Sequence, residues 1–522
     1  MVYVNTDSRM KNTIRNIIFS VGGQVFNIII TFISRTIFIK ILGSTYLGVQ
    51  GLFTNILSIL ALSELGIGIA ITYLLYKPIA EKDEKQISAL MNFCSKIYWG
   101  IGIFVFVVGL SILPFLDIFI KGNQEIQFLN LIFILFISNS ALSYFFSYKR
   151  TLILADQRAY INTLNINISN FIQNILQIII LVLTENFILY LIIQIAVTFI
   201  SNLFISKKVD KYYPFLKRNK EIRLDKKARK ELFINVKAMM YHRVGAAVVN
   251  GTDNILISAF VGIEVVGLYA NYRMIINTIR QVITQIYNSV SASVGSLTTK
   301  ESADKTYETF NTLFFITFWI SCFFSVAVLV MLQPFIILWL GHTFLLDGFT
   351  VIVVIICFYI NIMRQSIQTL KIAWGMYQYD QYRPIYEAII NLVVSLILVN
   401  KIGLVGVFLG TLISSLLTYF WNEPYIVYKN GFNKKVRIYF QKYILYTNIT
   451  IFIAILTNYV SSFIKDYTIG SLIIRGIICL IIPNGIIFLL FKNTKEMEYI
   501  IRLLSKVYKK ILKAKRDTGQ AT

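Results

Sequence analysis

Residues 41–53 read ILGSTYLGVQGLF, and residues 260–272 read FVGIEVVGLYANY. Both contain Gly-x-x-x-x-Gly followed by an aliphatic residue, and both close on an aromatic one. Gly43 pairs with Gly262, Gly48 with Gly267 and Phe53 with Tyr272, at a shift of about 219 residues, the kind of self-similarity that marks a duplicated architecture. Each copy interrupts a long apolar run. The surrounding composition fixes what such runs are: 56% of the 522 residues are hydrophobic and only 15% charged, and mean hydropathy is +0.67. That is more apolar surface than a soluble core can hide, and it is arranged in stretches of about 20 residues, enough to cross a hydrocarbon layer as helix.

The pattern predicts an all-α polytopic membrane protein with about fourteen spans, at roughly 15–41, 47–75, 89–116, 126–148, 160–183, 186–206, 233–261, 265–293, 310–338, 347–373, 383–400, 402–428, 441–464 and 469–491. The apolar runs lack the alternation a transmembrane barrel requires. The first run is too long for a signal peptide and has no small-residue cleavage site, so it is expected to stay. Positive charge collects on one side. Arg9, Lys11 and Arg15 precede the first span, and the even loops carry Lys77, Lys82 and Lys85, then Lys149, Arg150 and Arg158, then KKVDKYYPFLKRNKEIRLDKKARK at 207–230, and further basic groups up to Arg437. The odd loops hold little beyond Lys121, Lys401 and Lys465. The positive-inside rule therefore places both termini in the cytoplasm. The net charge of +24 reads as loops facing anionic lipid, with no nucleic-acid partner expected. Cys94, Cys322, Cys357 and Cys479 lie inside apolar runs without ligand-like spacing and read as small hydrophobes.

The repeat continues past the opening phrase. Thr151-Leu152 matches Thr369-Leu370, Asp156-Gln157 matches Asp380-Gln381, and Ile166-Asn167 matches Ile390-Asn391, with a drift in shift that the insertion WGMYQY accounts for. Six helices separate the copies, so the halves share one orientation and a pseudo-two-fold along the membrane normal is expected. The expected division is an N-lobe over 1–206, a basic linker at 207–232, a C-lobe over 233–430, and an appendix of two helices and a basic amphipathic tail over 431–522.

With SRTIFIKILGSTYLGVQGL ending the first helix, SELGIGIA in the second, and NILISAFVGIEVVGLYANY as the second-half echo, the chain resembles the Wzx-type polysaccharide repeat-unit flippases of the MATE/MOP exporter superfamily. The resemblance covers nearly the whole chain, through diffuse motifs. It implies a bacterial inner-membrane protein that moves an undecaprenyl-pyrophosphate-linked oligosaccharide from the cytoplasmic to the outer leaflet.

Ionisable residues inside spans are the candidate site residues, because each costs a few kcal/mol at the bilayer centre unless it faces a cavity or a partner. Arg35, Asp253 and Arg273 fall at a similar outer depth, Glu64, Arg243 and Arg280 near the midplane, and Arg364 and Glu387 in the cytoplasmic half of the second lobe. Arginine grips phosphate oxygens with a two-pronged fork that stays protonated, so Arg243 and Arg280, then Arg273, Arg364 and Arg35, are the candidates for a pyrophosphate; ion pairing within the bundle is the competing role for each. Glu64, Asp253 and Glu387 either couple transport to H+ or Na+, or balance neighbouring charge. His242 could relay protons or simply pack. The polar run Asn165, Asn167, Asn170, Gln173, Asn174 and Gln177 either lines a saccharide cavity or makes interhelical hydrogen bonds. No nucleotide loop or zinc pattern appears, and no cofactor is expected beyond a coupling ion. The partners expected are the lipid-linked oligosaccharide, anionic lipids and other polysaccharide-assembly membrane proteins. A MATE-like exporter, which needs an acidic aromatic pocket, and a glycosyltransferase or polymerase, which needs sizeable catalytic loops, are the alternatives.

Overall fold

The computed structural model describes residues 6–64, 67–121, 126–156, 158–219, 221–226, 229, 251–300 and 303–502. Helix α1 spans Thr6–Leu60 and ends in a 3-10 turn at Ala61–Glu64; α2 covers Ile67–Glu81, α3 Glu84–Ile112, α4 Leu129–Ala155, α5 Ala159–Thr184, α6 Phe187–Tyr212 and the short α7 Phe215–Arg218. The described helix over 251–261 is α8, its last turn widened to π at Ile257–Val261, and α9 follows at Ile263–Lys300. The remainder is α10 (Ala303–Leu340), α11 (Gly348–Met363), α12 (Gln365–Ala373), α13 (Arg383–Ile402), α14 (Leu404–Leu417), α15 (Tyr419–Val427), α16 (Arg437–Ser462) and α17 (Ile469–Phe491).

Eleven helices among the described residues are long and apolar enough to cross a membrane. The fourteen expected spans are consistent with this. Expected span 233–261 lies largely outside the described residues, 265–293 is the more polar helix α9, and 47–75 is broken by the 3-10 turn that ends at Glu64. The outward faces are apolar: Leu183 is 73% and Ile455 66% exposed, as lipid contact demands and water would not favour.

Two compact units form, one from residues 1–270 with 384–407 and the other from 271–383 with 408–522. In the first, α4 packs against α2, α3 and α6, and α1 against α5. Phe53, the aromatic that closes the first phrase, sits edge-on to Phe133 and Phe136 with ring centroids 4.7 and 5.6 Å away. In the second, α10 packs against α11, α16 and α17 around an aromatic core in which Phe318 stacks on Tyr446 at 4.3 Å and Phe314 on Tyr439 at 4.8 Å. Tyr272, which closes the second phrase, accepts a hydrogen bond from the Leu346 N–H at 3.0 Å.

The repeated glycines explain themselves inside the first unit. Gly43 (φ 78°) breaks α1, and Gly262 (φ 148°) separates α8 from α9; side chains resist such positive φ, so glycine marks both breaks. The second glycine of each phrase answers a different need. A Cβ on Gly48 would lie 2.0 Å from the Ile263 carbonyl oxygen, and a Cβ on Gly267 would lie 2.0 Å from that of Ser44. The same shift that relates the phrases exchanges these two contacts. It also exchanges the Arg35 Nη2 bond to the Ala270 carbonyl (3.2 Å) with the approach of Asn254 Nδ2 to the Cβ position of Gly51 (3.4 Å). A self-complementary pairing of this kind is the local signature of a two-fold axis between the repeats.

A helix start in the second unit yields a pH prediction. Asp347 caps α11, accepting from Thr350 N–H at 2.9 Å, Thr350 Oγ1 at 2.8 Å and Phe349 N–H at 3.2 Å, and these donors, the Thr350 N–H foremost, hold its carboxyl below the ordinary 3.8. Its contribution is present above that ordinary value and is lost as pH falls through the lowered one. Asp347→Ala is expected to cost about 1 kcal/mol at neutral pH, and the difference from the parent protein should shrink in thermal scans taken below pH 4.

Candidate functional site

A cavity of about 580 Å3 opens within the first unit, walled by α2, α3, α4, α5 and α6. Its chemistry follows from where those helices begin, end and break. Because α1 stops in a 3-10 turn, Glu64 reaches the cavity, where its Oε1 accepts a hydrogen bond from Tyr98 OH at 2.8 Å. From α4 come Ser143, Tyr144, Ser147, Arg150 and Thr151; from α5, Ser169, Asn170 and Gln173; from α6, Thr198, Ser201 and Asn202. Among the described lining residues Arg150 is the one cation and Glu64 the one acid. Arg150 Nη2 donates to Asn202 Oδ1 at 2.6 Å, while its buried Nε has no hydrogen-bond partner among the described residues. A half-buried guanidinium with a spare donor, ringed by hydroxyls and amides, suits an anionic or polyhydroxylated ligand.

A family model described as polysaccharide biosynthesis protein matches residues 13–292, more than half of the chain. The chain belongs to the polysaccharide biosynthesis protein family. Among solved structures, this family member is similar to the lipid II flippase MurJ in an inward closed conformation, at 13% identity over 91% of this chain and 99% of the other, with a TM-score of 0.66. It is also similar to an inward-facing multidrug resistance MATE family transporter of the MOP superfamily, at 14% identity over 77% and 94%, with a TM-score of 0.60. A third is the Vibrio cholerae MATE transporter VcmN in the bent form, at 14% identity over 82% and 98%, with a TM-score of 0.52. No match was found among curated protein sequences. At these identities the likeness establishes the fold. With the family assignment and the apolar helices, it makes this polysaccharide biosynthesis protein a multi-pass membrane protein whose fold is that of the flippase and the MATE transporters it resembles.

Of the residues singled out from sequence, Glu64, Asn170 and Gln173 line the cavity. Arg243, with His242, lies outside the described residues. Arg280 is half-buried on α9, with Nη2 donating to Asn277 Oδ1 at 2.8 Å, and Arg273 is half-buried on the same helix. Arg35 holds the Ala270 carbonyl; Asp253 is half-buried on α8 and Glu387 half-buried on α13. The α5 polar run divides between its two candidate roles. Asn167 accepts from Asn27 Nδ2 at 2.7 Å, Asn165 Nδ2 donates to Ser201 Oγ at 2.8 Å and Gln177 Nε2 to the Tyr190 carbonyl at 3.2 Å, so these three bind helix to helix.

Arg150 was hidden from sequence reasoning by a helix end. The expected fourth span stops at 148, which put Lys149 and Arg150 among the loop charges, but α4 continues to Ala155. The extension is possible because both cations find partners: Lys149 Nζ lies 2.6 Å from Asp210 Oδ1, and Arg150 bonds Asn202.

Arg364 in this family member is committed elsewhere. Its Nε and Nη2 grip the two oxygens of Glu423 at 2.7 and 2.6 Å, and its guanidinium stacks 4.1 Å from the Tyr419 ring centre. Lys371 Nζ reaches the same carboxylate at 3.1 Å and Arg383 Nη2 at 3.5 Å, while Asp380 takes Lys371 and, at 3.0 Å, Arg383 Nε. Asp380 is the repeat partner of Asp156, and Asp156 likewise pairs with a nearby arginine, Arg158 Nε at 3.0 Å. The second repeated phrase therefore marks a structural ion pair in each half. Tyr213 OH also donates to Asp156, and burial, then that carboxylate, push the phenol well above its ordinary range.

Proposed function

We propose that this protein carries undecaprenyl-pyrophosphate-linked oligosaccharide repeat units from the cytoplasmic to the outer leaflet, by alternating access and without catalysis. Both termini then face the cytoplasm of a bacterium, and the carrier works among anionic lipids beside other polysaccharide-assembly membrane proteins. The observation that carries the reading is the lining of the cavity in the first unit. Its hydroxyls and amides match saccharide hydroxyls, Arg150 offers a two-pronged grip on phosphate oxygens, and Glu64 is a carboxylate that can exchange a proton or Na+ with cargo. A drug exporter for organic cations needs acids and aromatic faces without a competing cation; this cavity holds Glu64, Tyr98 and Tyr144 but sets Arg150 among them, which disfavours a cationic cargo.

Deleting the gene should make lipid-linked repeat units accumulate on the cytoplasmic leaflet, and the parent gene should restore surface glycan. Arg150→Gln is expected to lower export about tenfold or more, since one charge-assisted contact to phosphate is removed. Arg150→Lys should recover part of that loss. Normal surface glycan in the deletion strain, together with lost tolerance to cationic drugs, would overturn the reading in favour of the exporter.

A further inference from the structure

A second cavity of the first unit, about 390 Å3, is bounded by α3, the end of α4, the end of α6 and α7. Its size falls in the range of small-ligand sites, roughly 300–1,000 Å3. Three lysines line it, Lys96, Lys149 and Lys217, with one acid, Asp210. Asp210 is divided between two of them: Oδ1 lies 2.6 Å from Lys149 Nζ and Oδ2 3.8 Å from Lys217 Nζ. Lys149 also donates to Ser206 Oγ at 2.9 Å. Lys96 has no acidic partner among the described residues. One negative charge shared among three positive ones leaves an excess of two around one half-open cavity.

The wall that brings Lys217 over this cavity is fixed in place. Asn92 Nδ2 donates to the Asn219 carbonyl at 2.8 Å and to the Ile222 carbonyl at 3.1 Å, and Asn219 Nδ2 donates to Ser88 Oγ at 3.3 Å. These bonds tie the segment after α7 to the start of α3, so the fold fixes the backbone that brings Lys217 to the cavity, although the Lys96 and Lys217 side chains are themselves exposed. Lys149 and Arg150 are consecutive on α4 but line different cavities, the first this one and the second the larger. Adjacent cations thus serve both chambers across one helix.

We infer that the Lys96–Lys149–Lys217 cavity binds a phosphate-bearing anion of about two charges, and that it is the loading site at which the pyrophosphate of the cargo is held before it reaches Arg150. The inference rests on the flippase reading for its cargo. The chemistry of the site, phosphate oxygens held by ammonium groups, is common to a polyprenyl pyrophosphate headgroup, an anionic phospholipid and free phosphate, of which the phosphodiester of a phospholipid carries only one negative charge.

Purified full-length protein in phosphatidylcholine nanodiscs, titrated with inorganic pyrophosphate and with farnesyl pyrophosphate, tests it. Saturable binding that Lys96→Gln with Lys217→Gln weakens about tenfold or more is the expected result, both side chains being exposed enough to change without unfolding the bundle. Tighter farnesyl than inorganic pyrophosphate supports the lipid-linked headgroup, equal affinity supports free phosphate, and displacement by phosphatidylglycerol doped into the discs supports a phospholipid. Absence of saturable binding, or affinity within about twofold of the parent in the double variant, would overturn the site. Export in cells separates this failure from failure of the flippase reading: a double variant with unchanged affinity and normal export removes the site alone, whereas a parent protein that exports nothing removes the flippase reading, whatever pyrophosphate does.

Discussion

Glu423→Gln is expected to destabilise the second unit by about 3–5 kcal/mol, the range for breaking a buried ion pair from one side. The carboxylate is 0% exposed and takes Arg364 through two hydrogen bonds, with Lys371 and Arg383 within 3.5 Å. Arg364, Lys371 and Arg383 all contact the Glu423 carboxylate, so neutralising it takes a negative charge away from three cations at once in a largely buried site. Burying unmatched charge costs far more than losing an exposed pair. Thermal unfolding of detergent-purified protein should show a large loss of stability. Lys371→Met added to Glu423→Gln should recover part of it, because it removes one of the buried positive charges that Glu423 balances. A Glu423→Gln protein as stable as the parent would mean that the cluster does not hold the unit together.

Gly48→Ala and Gly267→Ala form the second large prediction. Each new Cβ would fall 2.0 Å from a backbone carbonyl oxygen, which cannot rotate away as a side chain could, so the helices must part. Each change is expected to cost at least the 1–3 kcal/mol typical of overpacking. The two contacts are mates in one pairing, so the double variant should cost clearly less than the sum of the singles: once the helices have separated for one methyl, the other finds room. Gly100→Ala, with nothing within 4 Å of its Cβ position, is the control and should be neutral or slightly stabilising.

These two predictions differ in how far the sequence foretold them. The glycine phrase could be read directly, because a positive φ and a backbone contact of that closeness both exclude any side chain, and the repeat doubled the signal. Span positions were readable for an equally plain reason, the length of apolar helix a bilayer requires. The role of Arg364 was half readable. Its place inside an apolar run marked it as paired or cavity-facing, but its partner Glu423 lies 59 residues away and only the folded chain brings them together. The cavity was the least readable feature. Ser143, Ser147, Thr198 and Asn202 are ordinary residues of a membrane helix until five helices converge on the cavity, and Arg150 reads as a loop charge because hydropathy does not show that a cation finds an amide across the bundle. Asp156 and Asp380 were matched as a repeat without any indication that each anchors an ion pair.

Translocation of a pyrophosphate-linked saccharide lipid is the function proposed for this family member. Its most direct test is a proteoliposome assay in which a fluorescent polyprenyl-pyrophosphate saccharide is loaded into one leaflet and its arrival in the other is read by quenching. Protein-dependent transfer that Arg150→Gln slows about tenfold is the predicted result. Liposomes in which the saccharide lipid stays where it was placed, while the same protein moves a cationic dye across the bilayer, would show an exporter and no flippase.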